Sequence, residues 1–421
     1  MDNTNLSIQG ESFLINGKPT YAEIDGSRSE AHGLLMNARF IQGVLDDKSD
    51  PSRYSKWGRG DFDPETNTDN LIAALPEWHA HGLRAFTVGF QGGGPCATVQ
   101  NRSAMDVNPF GADGKRLEEA AANRMERLIR AADKLGMVVI VSCFYPAQIR
   151  RLRDDDAVRN AVVTASRWLH AVGGSNVIIE PANEHNLQPY SARPVVQTAE
   201  GMASLLRLAR EESAGIPVGC SGGGSYTNRT VADASDVILV HGNGCTRQRI
   251  HQMIQEMRSW ELSKPIVFNE DSQAIGNMKV TYNERASWGY YNNNTKQEPP
   301  TDWTITRGED QFFARRMAEG IGIDLPPLPE EERYYLQGLE PGAEYDGRRW
   351  VRLASLYPET VDYVEFYRNG GLYDRAYVEP YLTNYKTTWL QGSAPSRRGD
   401  VWKAVVHLTD GGSIERTAEV P

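Results

Sequence analysis

The sequence has few cysteines, a deficit of basic residues and no long apolar run. Its four cysteines, Cys96, Cys143, Cys220 and Cys245, include no CxxC pair and no zinc-finger spacing, so free thiols are predicted rather than disulfides or a cysteine-bound metal. Lys and Arg number 45 against 55 Asp and Glu, a net charge of −10. This argues against nucleic acid as the main partner, because phosphate binding needs clustered basic residues. No stretch approaches the ~18 apolar residues of a membrane span, so no membrane partner is expected.

Two further signals are missing. The N-terminus MDNTNLSIQG lacks the basic start and apolar stretch of a secretory signal. It predicts a cytoplasmic protein, although a secreted protein whose signal had been removed would look the same. No Gly-x-Gly-x-x-Gly follows an early strand, and the glycine clusters at 92–94 and 222–224 lack phosphate-loop spacing and lysine. We therefore expect no cofactor, and the sequence leaves the oligomeric state open.

What the sequence does contain is a repeated strand–helix rhythm. Near-continuous Val, Ile and Leu runs alternate with amphipathic helices, which predicts parallel strands buried on both faces. The predicted strands are MNARFIQGVL (36–45), LRAFTVGF (83–90), MVVIVSCF (137–144), NVIIEPANE (176–184), IPVGCSG (216–222), DVILVHG (236–242), KPIVFNED (264–271) and ASWGYYNN (286–293). Eight such units predict a (β/α)8 TIM barrel over residues 1–330, opened by an N-terminal β-hairpin with a turn at Asn16-Gly17. An open doubly wound sheet is the alternative.

The composition changes in the segment IDLPPLPEEERYYLQG. Beyond it, short alternating β segments are separated by turns at Asn369-Gly370 and Asp410-Gly411. This pattern predicts a C-terminal all-β sandwich domain over residues 331–421. The segment shows no chemistry of its own, so a packing role is favoured over glycan binding.

Two glutamates end predicted strands where a barrel carries its catalytic groups. Glu184 ends the fourth strand and Glu270 the seventh, and each follows an asparagine. A carboxylate at the end of an apolar strand costs desolvation energy unless it has a partner or a function. Cleavage of a glycosidic bond needs such a pair, because one carboxyl group protonates the leaving oxygen and the other attacks the anomeric carbon or activates water.

The stretches VIIEPANEHN and KPIVFNE resemble the acid/base and nucleophile strands of the clan A glycoside hydrolases, particularly family 5. The resemblance covers roughly residues 11 to 325. It implies a retaining hydrolase of an oligosaccharide or polysaccharide, with Glu184 as acid/base and Glu270 as nucleophile. It also implies that Asn183 hydrogen-bonds the sugar hydroxyl beside the anomeric carbon, and that Trp288 is the platform on which the sugar stacks, although Trp288 could equally be a core residue.

Other residues are candidates for substrate binding. His241 ends the sixth strand and could orient the nucleophile or bind a hydroxyl, or could be a core histidine. The arginine that the clan carries near the end of strand two is missing here, which leaves Gln91 and Arg39 as candidates, and Tyr145 follows the third strand. By strand parity Glu180 should point inward below the site, where we expect it to pair with Arg39.

Two alternative functions remain open. The barrel could bind carbohydrate without cleaving it, or it could be a metal-dependent hydrolase, since such enzymes carry His-x-His at the end of the first strand. The chain does contain His79-Ala80-His81, but these residues lie at a predicted helix end, away from the active face. The other histidines supply no ligand set, so we predict no metal.

Overall fold

A computed structural model describes residues 4–57, 60–99, 101–385 and 392–421. The chain begins with an antiparallel sheet of three short strands, β1 (Leu6–Gln9), β2 (Ser12–Ile15) and β3 (Lys18–Pro19). The turn between the last two lies at Asn16-Gly17 as predicted, and both residues have positive φ angles, 54° and 77°, as a two-residue hairpin turn requires. Leu6 and Phe13 pack with residues from the beginnings of the parallel strands. The hairpin therefore covers the amino ends of these strands.

Residues 37–321 alternate between parallel strands and helices. The strands are β4 (Asn37–Arg39), β5 (Ala85–Gly89), β6 (Val138–Phe144), β7 (Val177–Ala182), β8 (Ile238–His241), β9 (Ile266–Glu270) and β10 (Gly289–Tyr290). The helices are α1 (Pro64–Ala80), α2 (Glu119–Lys134), α3 (Asp155–Ala171), α4 (Pro194–Gln197), α5 (Ala199–Glu212), α6 (Arg229–Ala234), α7 (Arg247–Arg258), α8 (Gly276–Asn283) and α9 (Glu309–Ile321). Every residue of these strands is buried, because helices cover one face of the strands and the other face lines a second apolar cluster.

Local chemistry explains where the longer helices begin. The side chains of Asp63, Asp154, Thr198 and Thr246 accept hydrogen bonds from backbone N–H groups in the first turns of α1, α3, α5 and α7. These oxygens satisfy donors that have no partner within the helix. Within β6, Val139 and Val141 pack with the helices, whereas Val138 and Ile140 face the other cluster, as the two-residue period of a strand demands.

The parallel strands form two sheets. Five strands pair in the order β10-β4-β5-β6-β7, and β8 pairs with β9. Isolated parallel bridges join Ile179 to Val218 and Val267 to Ser287, and the N–H of Val237 donates to the oxygen of Val218 at 3.2 Å. The strand predicted at 216–222 is thus only a bridge, because Pro217 has no N–H to donate and Gly219 has no side chain to pack. The eighth predicted strand is two residues long.

The C-terminal part consists of antiparallel strands around a core of its own. The strands are β11 (Tyr334–Gln337), β12 (Glu344–Tyr345), β13 (Arg348–Arg349), β14 (Arg352–Ser355), β15 (Val361–Arg368), β16 (Gly371–Ala376), β17 (Ala394–Pro395), β18 (Val401–Leu408) and β19 (Ser413–Glu419). They form three sheets, in the orders β16-β15-β18-β19, β11-β14 and β12-β13-β17. Val364, Phe366 and Trp402 are fully buried in the core between them. The sandwich architecture and the boundary at residues 330/331 stay predictions.

The C-terminal part contacts loops that follow the carboxyl ends of the parallel strands. Arg352 pairs with Glu309, the first residue of α9, through Nη2–Oε2 at 2.6 Å. Trp350 packs in an apolar cluster with Tyr291, the residue after β10. Within the described residues no helix is both long enough and apolar enough to cross a membrane. The antiparallel strands therefore lie against the edge of the parallel strands at which barrel enzymes carry their chemistry.

We predict that Arg352→Met destabilises the protein by about 3–5 kcal/mol, because it leaves the carboxylate of Glu309 buried without its cation. The two side chains are only 3% and 4% exposed. Urea unfolding should report the loss, and adding Glu309→Gln should recover part of it. The control, Arg375→Met, removes an ion pair whose arginine is 47% exposed, and it should change stability by less than ~1 kcal/mol. Equal effects of the two Arg→Met changes would contradict the prediction.

Candidate active site

Glu184 lies just beyond the end of β7 in an unusual backbone conformation. Its φ angle is 51°, in the left-handed region, which costs a non-glycine residue roughly 1 kcal/mol. Two contacts hold it there: its N–H donates to Oγ of Ser221 at 3.1 Å, and its carbonyl oxygen accepts from the N–H of Leu187 at 3.0 Å. The side chain is 19% exposed. Such strained residues cluster at functional sites, where the surrounding structure fixes them.

Glu270 is the last residue of β9 and is more buried, with 8% of its side chain exposed. Nε of Arg39, at the end of β4, lies 2.6 Å from Oε2 of Glu270. Nδ2 of Asn243, in the loop after β8, donates to Oε1 at 2.7 Å. Both carboxylate oxygens therefore have a donor-bearing group beside them, and these contacts fix the position of the side chain.

His241, the last residue of β8, lies between the two glutamates and is fully buried. Its Nδ1 is 3.1 Å from Oε1 of Glu184 and 3.6 Å from Oε2 of Glu270. The ligand atoms of these three residues all lie within 4.8 Å of one another, so an oxygen of Glu184 comes at least that close to one of Glu270.

Glu184 and His241 each shift the pKa of the other. Burial opposes the charge on Glu184, but the hydrogen bond and positive charge of His241, aided by Arg39 and Arg102, hold the pKa of this carboxyl below its ordinary value. Burial likewise opposes the charge on the imidazole, yet Glu270 and Glu184 together raise the pKa of His241. A proton at the site is therefore held by the imidazole in preference to Glu184 when no ligand is bound.

Asp271, directly after Glu270, is a second buried acid beside the site. Burial raises its pKa to about 7, although three side chains donate to it. Among them, Nε1 of Trp288 donates to Oδ2 at 2.7 Å and Nδ2 of Asn277 donates to the same oxygen at 2.8 Å. These contacts fasten the segment that follows the strand end, and with it the backbone of Glu270.

Several predicted residues surround this centre, but not all in the expected role. Asn183 is 1% exposed, and its Oδ1 has no hydrogen-bond partner among the described residues, so its role toward a sugar stays a prediction. Gln91 is also 1% exposed, with Oε1 accepting from the N–H of Tyr145 and Nε2 donating to Asn108. Its amide is thus committed to the protein, and Gln91 supports Tyr145 rather than offering a surface to substrate.

Two expectations are wrong. Trp288 is fully buried among Tyr290 and Phe313, so it offers no face on which a sugar could stack. Glu180 does point inward and is buried, but Arg39 pairs with Glu270 instead.

Glu180 instead accepts from the N–H of Ser221 at 3.2 Å and from Nδ2 of Asn269 at 3.4 Å. Arg39 therefore pairs with Glu270, which ends its strand, and not with Glu180, which lies within β7.

Three side chains at the site were not predicted: Asn243, Tyr291 and Arg102. Asn243 stands two residues after His241 at a strand end, and that position could have indicated it. Tyr291 lies beside Arg39, whose guanidinium is 5.8 Å from the centre of its ring. Arg102 lies in the long loop after β5, where no periodic pattern reveals which way a side chain points.

Glu184, His241 and Glu270 are also the residues that could hold a metal ion. His79 and His81 lie apart from them, at the C-terminal end of α1. One oxygen of Glu270 already pairs with the guanidinium of Arg39, and this positive charge opposes a second cation at the same carboxylate. The donor set is therefore compatible with a divalent ion, but its electrostatics suit a carboxylate that acts without one.

No model of a protein family and no curated protein matches the sequence. Among solved structures, beta-glucuronidase 2 of Bacteroides uniformis is similar at 11% identity with a TM-score of 0.47, over 99% of this chain and 47% of that chain. The endo-beta-1,4-mannanase of Thermotoga petrophila is similar at 11% identity with a TM-score of 0.45, over 92% of this chain and 97% of that one. The beta-mannanase of the blue mussel Mytilus edulis has 11% identity and a TM-score of 0.47, over 75% of this chain and 97% of that one. This chain spans less than half the length of the beta-glucuronidase, and with all three TM-scores below 0.5 the likenesses carry no conclusion about activity.

We predict that His241→Asn raises the pKa of Glu184. The substitution removes the positive charge that favours the carboxylate, while the burial that favours the neutral acid remains. Infrared difference titration of the protonated carboxyl band should show Glu184 taking up its proton at a higher pH than in the wild type. Glu184→Gln in the same background should remove this component of the band, while the component from Asp271 remains. An unchanged or lowered midpoint would contradict the coupling inferred here.

Proposed function

We propose that the protein is a retaining glycoside hydrolase that cleaves O-glycosidic bonds of an oligosaccharide or polysaccharide. The observation that carries the proposal is the approach of the Glu184 and Glu270 carboxylates to within 4.8 Å, at the carboxyl ends of two parallel strands, β7 and β9. Retaining glycosidases hold their two carboxyl groups about 5–5.5 Å apart, a spacing that this approach fits better than the wider one of inverting enzymes. Glu270 contacts Arg39 and Asn243, whereas Glu184 contacts His241 and is partly open to solvent. This difference in environment is what a nucleophile and an acid/base require of the same residue type.

The scaffold that we infer for this pair is a (β/α)8 barrel. Its support is the pairing that continues from one parallel sheet to the other, through Ile179 to Val218 and through Val267 to Ser287. In such a barrel the catalytic groups come from the carboxyl ends of several strands. Arg39, His241 and Glu270 end their strands, and Glu184 follows the end of its own.

The reaction follows from these positions. The carboxylate of Glu270 attacks the anomeric carbon, the bond from that carbon to the leaving oxygen breaks, and the leaving oxygen takes the proton of Glu184. Glu184, now ionised, removes a proton from water. The resulting hydroxide attacks the anomeric carbon, and the bond to Glu270 breaks. The net reaction adds one water across the glycosidic bond and restores both carboxyl groups.

The proton that Glu184 donates in the first step has a nearby source. In the unliganded site the imidazole of His241 holds it, 3.1 Å from Oε1 of Glu184. A bound sugar excludes water and strengthens the penalty for two charged carboxylates in one low-dielectric site. Transfer from the imidazole to Glu184 then places the proton where the leaving oxygen needs it.

Metal-assisted hydrolysis is a second candidate, because Glu184, His241 and Glu270 present one nitrogen and two oxygens within 4.8 Å of one another. A bound divalent cation would activate water instead of leaving Glu270 free to attack. The two candidates differ in what a chelator does. The retaining hydrolase keeps its activity after exhaustive treatment with EDTA, whereas a metal-dependent enzyme loses it and recovers with zinc or manganese.

We predict that Glu270→Gln abolishes release of reducing ends from a panel of neutral and acidic glycans, and that Glu184→Gln lowers it about 10²–10⁴-fold. The exposed Glu211→Gln on α5 is the control and should leave rates unchanged. With an activated aryl glycoside, azide should rescue Glu184→Ala and yield a glycosyl azide of retained configuration. Full activity of Glu270→Gln would overturn the mechanism, and binding of glycans without cleavage by the wild type would identify a carbohydrate-binding barrel.

A further inference from the structure

Arg102 places a second guanidinium beside the proposed catalytic pair. It begins a short 3-10 helix, Arg102–Ala104, in the loop that joins β5 to α2. Nε donates to the oxygen of Pro95 at 3.1 Å, one terminal nitrogen donates to the hydroxyl of Tyr145 at 3.4 Å, and the other contacts Sγ of Cys96 at 3.5 Å. The residue is partly exposed.

Neighbouring buried residues hold the side-chain stem and the backbone of Arg102 in place. A Cβ at position 94 would collide with Cδ and Nε of Arg102, so glycine at this position lets the arginine stem lie against the backbone. The carbonyl oxygen of Arg102 accepts from Nε2 of Gln148 at 3.1 Å, and Oε1 of Gln148 accepts from the N–H of Val107. Gln148 is 1% exposed. The stem and the backbone of the arginine are therefore both fixed.

Arg102 differs from the other arginines of this region in having no acid to pair with. Arg39 and Arg352 each pair with a buried glutamate. Within the described ranges no carboxylate oxygen lies within 4.0 Å of the Arg102 guanidinium, and all its hydrogen-bond acceptors are uncharged. The nearby acid Glu298 is committed elsewhere: it accepts from the N–H of Ala97 at 2.6 Å and from the amide and hydroxyl groups of neighbouring loop residues.

Short contacts link this guanidinium to the catalytic centre. Sγ of Cys96 lies between Arg102 and the hydroxyl of Tyr291, 3.8 Å from the latter. Tyr291 in turn lies beside Arg39, the partner of Glu270. On the other side, the charge of Arg102 helps to lower the pKa of Glu184, an effect smaller than that of burial and of His241. Arg102 is thus connected to Arg39, and through it to Glu270, by a short chain of side-chain contacts.

We propose that Arg102 binds an anionic substituent, a carboxylate or a sulfate, on the sugar residue that enters the catalytic centre. A planar guanidinium whose own partners are uncharged matches the paired oxygens of such a group. The proposal rests on the proposed glycosidase function and adds the substrate class, a glycan that is acidic at the residue being cleaved. Since the protein carries a net charge of −10, we expect one recognised acidic residue rather than a long polyanionic stretch.

The test uses oligosaccharides of both anomers that carry one uronic acid or one sulfated residue, each paired with its carboxyl-reduced or desulfated form. The wild type should cleave the acidic member of at least one pair with a kcat/KM at least tenfold higher than the neutral member. Arg102→Met should remove this preference, and Arg102→Lys should keep part of it. Arg116→Met, an exposed change in the same loop, is the control and should leave it intact. The uronate and sulfate arms identify which anion is bound.

Binding measured by calorimetry on the Glu270→Gln variant, with and without Arg102→Met, separates the two levels of the proposal. If acidic ligands bind through Arg102 but the wild type cleaves none of them, the hydrolase proposal fails and the anion site stands. If the wild type cleaves neutral members as well as or better than acidic ones, or if Arg102→Met leaves the preference unchanged, the anion site is wrong and the hydrolase stands. If no acidic ligand binds more tightly than its neutral partner and none is cleaved, the anion site is likewise overturned.

Discussion

The ion pair between Arg39 and Glu270 is the interaction on which the arrangement of the site depends. It joins the ends of two separate parallel strands at 2.6 Å, with the two side chains only 2% and 8% exposed. Removing either partner from such a pair leaves a buried charge uncompensated, at a cost of about 3–5 kcal/mol. The positive charge of Arg39 compensates the carboxylate of Glu270, so Glu184 and His241 can lie within a few ångströms of it. Without this compensation, repulsion between the two carboxylates would push the strand ends apart.

Glu184, the second acid of the site, depends on its contact with His241 rather than on an arginine. Within the described structure no arginine forms an ion pair with Glu184. Both glutamates contact Nδ1 of His241, and Glu184 is the nearer of the two. The carboxyl group of Glu184 and the imidazole of His241 are coupled, so a change in the protonation of one changes the pKa of the other. The two glutamates therefore have different environments within 4.8 Å of each other, one paired with an arginine and the other hydrogen-bonded to a histidine.

The sequence was a good guide wherever a periodic pattern ended in a polar residue. Apolar runs that finish in Glu184, His241 and Glu270 indicated both the strands and the edge at which these side chains meet. It was a poor guide to contacts between distant segments. Strand parity correctly predicted that Glu180 points inward, but it does not show whether Arg39 pairs with Glu180 or with Glu270. It also does not show whether a tryptophan faces a cleft or the interior. The indole N–H of Trp288 donates to the buried carboxylate of Asp271, and the side chain lies in the interior.

Irregular segments explain what the sequence could not indicate. The bridge at Val218 replaces a predicted strand because proline and glycine flank it, and Arg102 is placed by a glycine and a glutamine that have no periodic relation to it. The C-terminal strands add a further constraint, since Trp350 packs against Tyr291, which lies beside Arg39. Tyr291 therefore has the C-terminal part of the chain on one side and the guanidinium of Arg39 on the other. The antiparallel part of the chain is thus a wall of the site as well as a neighbouring fold, and displacing it would disturb the environment of Glu270 through a single aromatic ring.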